Sequence, residues 1–288
     1  MDPQRMTRQL MIPIRAALLG AVLSVVFTVA VGSPPARAYV LDSTQIFGHT
    51  AEAMGAIATL RCHQKLLIYP QTPDTPPTIF EETTIYVMPL RFRSDIVSTR
   101  IRRTHLVYAG RSLTVIDGRT VVGESPFDRY QGILRSRTRG QLMQSARQLG
   151  IDTDISSLGR IEQSVVFVIG ADYPDESVSQ LAIDKKTFFP VRLLLVVPGS
   201  RMEIYYRKWQ PVQKSWFPYQ ITFHINGHLA REIRVTELEA NPSVPADLMD
   251  LEALKASAAP SDSAPQRQNQ EAVDTVQQAV EDFQKKFE

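Results

Sequence analysis

One cysteine, Cys62, stands in 288 residues, so no disulfide can form within the chain, and a fold of this length must be held by its apolar core. Cys62 also lies too far from the amino terminus to be the acylated cysteine of a lipoprotein. Histidine is scarce, at five residues, and none sits in a recognisable acid/base arrangement with a nucleophile. No glycine-rich loop is built to cradle phosphate, and "GESPF" is not a nucleophile elbow. "DTDISSLGRIEQ" (152–163) starts like a calcium loop, but Ser157 stands where glycine is needed and Gln163 where the bidentate glutamate belongs. Neither catalysis nor a resident metal or cofactor is supported by these residues, and the expectation is a protein that is not an enzyme.

The amino terminus carries the clearest signal. Arg5, Arg8 and Arg15 precede an apolar run from Ala16 to Val31, followed by Ala36-Arg37-Ala38. This is the pattern of a secretory signal peptide over residues 1–38, cleaved after Ala38. Its apolar run is short for a membrane span, although retention as an anchor stays open. The arginine-flanked form suits bacterial export, which makes the periplasm the expected address. The signal holds four of the 32 basic and one of the 30 acidic residues, so the remainder is close to neutral and nucleic acid is not an expected partner.

Along the mature chain, Asp42 to Leu67 reads as a helix. Asp42 and Gln45 can form a capping box, and Ile46, Phe47, Ala53, Met54, Ile57 and Leu60 recur at helical spacing, though Gly48 and Gly55 weaken it. The proline-rich stretch at 69–78 ends it. Alternating segments follow from Ile79 to Ser125, with Ala109-Gly110 and Asp117-Gly118 as hairpin turns. A second helix is predicted over Gln141 to Leu149, with Gly150 as its cap. Strands resume at "QSVVFVIG", "SQLAIDKK", "PVRLLLVV", "MEIYYRKW", "FPYQITFHI" and "LAREIRVTEL". The total is nine to eleven strands and two helices, a mainly β (α+β) chain. The domain spans 39–254, a Ser/Ala/Pro/Gln linker is expected over 255–270, and an amphipathic helix over 271–288. In that helix Val273, Val276, Val280, Phe283 and Phe287 form one narrow stripe, either a frayed end or a partner-docking face.

For "FPYQITFHINGHLAREIRV" the apolar residues favour a three-residue Ile225-Asn226-Gly227 loop over a two-residue Asn226-Gly227 turn. That register pairs Phe223 with Leu229, Tyr219 with Ile233 and Phe217 with Val235, leaving Arg231 beside Ile221. It also sets His224 opposite His228, with Cβ atoms about 5 Å apart, as an exposed pair or two ligands lacking a third. Arg91, Arg93, Arg100, Arg102 and Arg103 form the one basic concentration, read as a solvated outer face or a contact for an acidic partner or lipid headgroups. The run "PVRLLLVV" after Pro190 is almost wholly apolar, so it needs both faces protected, or one face lining a cavity.

"LAIDKKTFFPVRLLLV" with "MEIYYRKWQPVQKSWFPYQITFHINGHLAREIRVTELEANPSVPADLM" resembles the carboxy-terminal half of the outer-membrane lipoprotein-sorting proteins, relatives of the periplasmic lipoprotein carrier LolA. "VMPLRFRSDIV" and "SLTVIDGRTVV" are similar to that family's Pro-x-x-Phe strand and Asp-Gly hairpin. The resemblance covers Asp42 to Leu251. It implies a half-open antiparallel β-barrel of about 9–11 strands, with helices covering a concave face that accepts acyl chains. The arginine that ties down the lid in the carrier is Met88 here, and the tryptophan ending that strand is missing. The lining expected on this resemblance is Phe92, Leu106, Leu193, Leu195, Tyr206, Tyr219, Ile221 and Phe223. The expected partners are acyl chains of lipoproteins or lipids and transfer proteins of the inner and outer membranes. Two functions stay open: a carrier, and a lipid-sensing regulatory or scaffold protein that engages a partner through its terminal helix.

Overall fold

The computed structural model describes residues 40–70, 75–121 and 125–258, with the side chain of Pro126 excepted. The predicted signal peptide and terminal helix lie outside the described residues. Helix α1 is Ser43–Met54, and its expected capping box is formed: Asp42 accepts from the Gln45 amide at 2.8 Å and Gln45 Oε1 accepts from the Asp42 amide at 3.2 Å. The helix stops at Gly55, well short of the predicted Leu67. Gly55 has φ +71°, and a Cβ there would meet the Lys214 carbonyl oxygen at 2.2 Å. Beyond it Leu60, Cys62, Gln64 and Leu66 alternate inward, so the second half of the predicted helix is strand β1, Thr59–Ile68.

Strands β2 (Thr78–Val87), β3 (Arg91–Val97), β4 (Arg102–Tyr108), β5 (Arg111–Ile116) and β6 (Arg119–Val121) meander outward from β1 to one edge of the sheet. A 3-10 turn at Pro126–Asp128 then leads into α2 (Gln131–Arg135) and α3 (Arg139–Gln148). The chain re-enters the sheet at its other edge with β7 (Ser156–Ile161) and returns through β8 (Ser164–Ile169), β9 (Gln180–Asp184), β10 (Pro190–Val197), β11 (Ser200–Val212), β12 (Ser215–Ile225) and β13 (His228–Ala240). β13 pairs with β1, which gives one antiparallel sheet of 13 strands whose ends, β6 and β7, are not joined. This is a half-open barrel. The two strands beyond the predicted range are β1, read as helix, and β7, hidden in the calcium-like fragment.

This topology dictates where the helices lie. The connection from one edge to the other must cross the sheet, and it does so over the concave face, carrying α2 and α3 with it. Helix α3 is capped by Thr138, which accepts from the Gln141 amide, and ends at Gly150 with φ +77°, as predicted.

The β12–β13 hairpin differs from its expected register. Asn226 and Gly227, at φ +49° and +84°, form a two-residue turn that pairs Ile225 with His228 and His224 with Leu229. A bulge then shifts the phase, so Phe223 faces Arg231 and Ile221 faces Ile233. The bulge reconciles the tight turn with an apolar inner face, which the three-residue loop was invoked to achieve. His224 and His228 are therefore not opposed, and among the described residues no group of three histidine, cysteine or acidic side chains is placed to hold a metal.

The apolar run of β10 is protected on both sides. Leu193 and Leu195 join the main core; Leu194 points the other way and is equally buried, on the side where Glu176 bonds Arg192 at 2.7 Å and Arg201 at 2.5 Å.

Candidate functional site: the covered concave face

Inward residues of the strands form one continuous apolar cluster. It contains Leu60, Cys62 and Leu66 of β1, Phe80 and Tyr86 of β2, Phe92 of β3, Leu193 and Leu195 of β10, Ile204 and Tyr206 of β11, and Phe217, Ile221 and Phe223 of β12. Helix α1 and the crossing segment supply its other wall: Ile46 and Phe47 from α1, Ile133 and Leu134 from α2, and Leu142 and Ala146 from α3. Each strand residue named here is at most 8% exposed, so in this form the lid's own side chains occupy the concave face. Full burial of one such side chain is worth about 1.5–3 kcal/mol, which holds the lid down without covalent help.

Of the expected lining, the structure brings together Phe92, Leu193, Leu195, Tyr206, Ile221 and Phe223, with Tyr219 packed half-buried against them. Leu106 is elsewhere. It sits on the outer face in a second cluster with Ile85, Met249 and Leu251, under the segment that leads through a 3-10 turn (Ala246–Met249) to α4 (Leu251–Ser257). Adjacent residues of a strand face opposite ways, and β4 turns Val107, not Leu106, inward. Val273, Val276, Val280, Phe283 and Phe287 lie outside the described residues.

Tyr130, between the 3-10 turn and α2, joins the crossing segment to the sheet. Its ring meets Phe92 at 6.4 Å and Phe223 at 5.4 Å, both edge-on, and its carbonyl accepts from the Tyr206 hydroxyl at 3.2 Å. Burial pushes the Tyr130, Tyr86 and Tyr206 phenols far up, so all three stay protonated. Two lid arginines add polar ties. Arg135 donates to the Pro89 carbonyl at 3.2 Å, and Arg137 donates to the Met54 carbonyl at 3.1 Å. Burial pulls the Arg137 guanidinium down to about 10, still protonated at neutral pH.

The face is not uniformly oily. Beneath the 3-10 turn, Glu82 accepts from Gln64 at 2.7 Å and from the Ser94 hydroxyl; Arg103 donates to Asp128 at 2.6 Å and to Ser94 at 3.3 Å; His105 meets Thr114 at 2.8 Å. Arg231 lies 3.9 Å from Glu82. Burial, the largest single effect, would raise the Asp128 carboxyl, but the charge and hydrogen bond of Arg103, with the nearby His105 and Arg231, together outweigh it and hold it below the usual range. His105 is pushed down by burial, which Asp128 only partly offsets, so it is neutral at physiological pH. Arg103 thus departs from the solvated outer face expected of its basic neighbours. Arg91 stacks on Tyr108, Arg93 pairs with Asp95 at 2.6 Å and bonds the Leu248 carbonyl, and Arg100 and Arg102 are exposed.

No protein-family model matches the chain, and no curated protein matches it in sequence. Solved structures do. A LolA superfamily protein from Nitrosomonas europaea superimposes with a TM-score of 0.50 at 9% identity, covering 74% of this chain and 99% of that one. An outer membrane lipoprotein-sorting protein domain from Vibrio parahaemolyticus aligns with a TM-score of 0.45 at 9% identity, covering 74% and 97%. The open sheet with helices crossing its concave face is thus the fold of the LolA superfamily protein from N. europaea.

Proposed function

We propose that the protein is a periplasmic carrier that takes the acyl chains of lipidated proteins or lipids between its sheet and its lid for transport towards the outer membrane. The observation that carries this reading is the unclosed sheet whose inner apolar face is shared with a crossing lid rather than with a second sheet. For a chain to enter, only helix side chains need to leave this face, and no strand pairing has to break. Among the described residues no helix is long and apolar enough to cross a membrane, and the signal-like amino terminus supports the periplasmic address.

Burying about ten methylenes at roughly 0.8 kcal/mol each gives ~8 kcal/mol, near micromolar affinity before any cost of moving the lid. Lid displacement subtracts from this. The balance suits reversible loading, and no covalent step is proposed.

Native mass spectrometry of protein purified from the periplasm tests the proposal. Co-purifying lipid or lipopeptide is the expected result. Protein that emerges empty and takes up no acyl ligand when challenged would overturn it.

A further inference from the structure

Arg231 is buried to 8% exposure on the inner side of β13, opposite Phe223. Its guanidinium carbon lies 5.4 Å from the Phe223 ring centroid and 5.8 Å from that of Phe127, on the lid's 3-10 turn. No side-chain hydrogen bond joins its guanidinium to another described residue, and its Nε is buried without a partner. The carboxylate nearest it, Glu82 at 3.9 Å, is beyond hydrogen-bond reach and already accepts from Gln64 and Ser94, while Asp128, which also feels the Arg231 charge, is bonded to Arg103. Arg103, in the same cluster, shows the contrast, with bonds to both Asp128 and Ser94. A second buried atom without a partner, His105 Nε2, belongs to this cluster as well.

A buried guanidinium N–H without a hydrogen bond is costly, and a guanidinium has only donors to offer, so what completes it must be an acceptor. Its planar fork matches the paired oxygens of a carboxylate or phosphate. The two flanking rings belong to the apolar cluster, so a group bonded to Arg231 continues directly into the face where a hydrocarbon chain would lie.

Resting on the acyl-chain reading above, we infer that Arg231 marks the polar end of the site and receives the oxyanionic head group, carboxylate or phosphate, of a single-headed acyl ligand. Such a cargo differs from a lipoprotein, whose acyl chains end in uncharged ester and amide links.

The test compares dodecanoate, dodecyl phosphate, dodecanol and inorganic phosphate by calorimetric titration of the mature full chain, wild type and Arg231→Met. The two anionic amphiphiles should bind wild type about tenfold or more tighter than dodecanol, the scale of one charge-assisted bidentate contact. R231M should lower both to the level of dodecanol while dodecanol itself is unaffected, which also certifies the fold. Equal binding of all three amphiphiles by wild type, or an equal loss of all three in R231M, would overturn the head-group assignment and leave the carrier reading standing. Inorganic phosphate bound as tightly as dodecyl phosphate would make this a free-anion site and overturn it too. No binding of any amphiphile would remove both readings. Should R231M fail to fold, the wild-type series decides alone.

Discussion

Replacing Tyr206 by phenylalanine should loosen the protein and tighten its grip on lipid. The Tyr206 hydroxyl donates to the Tyr130 carbonyl at 3.2 Å, a buried bond between strand β11 and the lid. Phenylalanine keeps the ring and removes the bond, at a net cost of about 1 kcal/mol to the closed form. For a domain of this size that lowers the melting temperature by about 2–4 °C. If a chain enters by lifting the lid, the open form makes no such bond, and the fraction of competent protein rises about fivefold, since RT is about 0.6 kcal/mol at 25 °C. The apparent dissociation constant for an acyl ligand falls by the same factor. Differential scanning fluorimetry and fluorescent acyl-probe titration on the same preparation read both quantities. A variant that loses stability without gaining affinity would show that the bond survives binding, and that the lid does not move at Tyr130.

Gly55→Ala should destabilise the fold by more than about 2 kcal/mol in urea unfolding, because the positive φ is strained for alanine and its Cβ would collide with the Lys214 carbonyl. Asp128→Asn leaves Arg103 buried without its counter-charge, a loss of about 3–5 kcal/mol at neutral pH. The Asp128 carboxyl is lowered in the folded state, so its contribution is complete above the unfolded carboxylate value near 4 and declines as pH falls through the lowered one. The gap between wild type and D128N should therefore hold from pH 7 to about 5 and narrow in more acidic urea titrations. His105 acts at higher pH. Its folded value is lowered, so below about pH 6.5 the unfolded chain gains a proton the folded one resists, and wild type should lose stability there while His105→Gln loses less. Deleting residues 259–288 should leave acyl binding unchanged in the same probe titration; loss of binding would assign the tail a part in the site.

Local signals were legible wherever backbone chemistry decided the outcome. The Asp42/Gln45 box, the helix expected over Gln141 to Leu149 with its Gly150 cap, and most strands follow from caps, glycines and alternation; they appear where expected, the helix starting two residues earlier, at Arg139. Strand β1 was obscured because Ile57 and Leu60 continue the helical spacing of α1 across Gly55, whose role depends on a contact with Lys214 far along the chain. β7 was obscured by its polar composition. The β12–β13 register turned on a bulge, which no periodicity reveals, since one extra residue is invisible until the partner strand is known. Tyr130 and Asp128 were missed altogether, because nothing local says that a turn after β6 will cross the sheet and bury them. Arg231 did leave a trace. It was the one charge that fitted no inward pattern, and the structure places it on the inner face with no side-chain hydrogen bond from its guanidinium to another described residue.

Hydrogen–deuterium exchange of the mature chain, with and without palmitate, tests the central claim most directly: the lid leaves the concave face when an acyl chain enters. Amides of α1 to α3, 43–54 and 131–148, should exchange faster in the loaded protein, while those of β10 to β13 keep or gain protection. Unchanged exchange across the lid at saturating palmitate would contradict it.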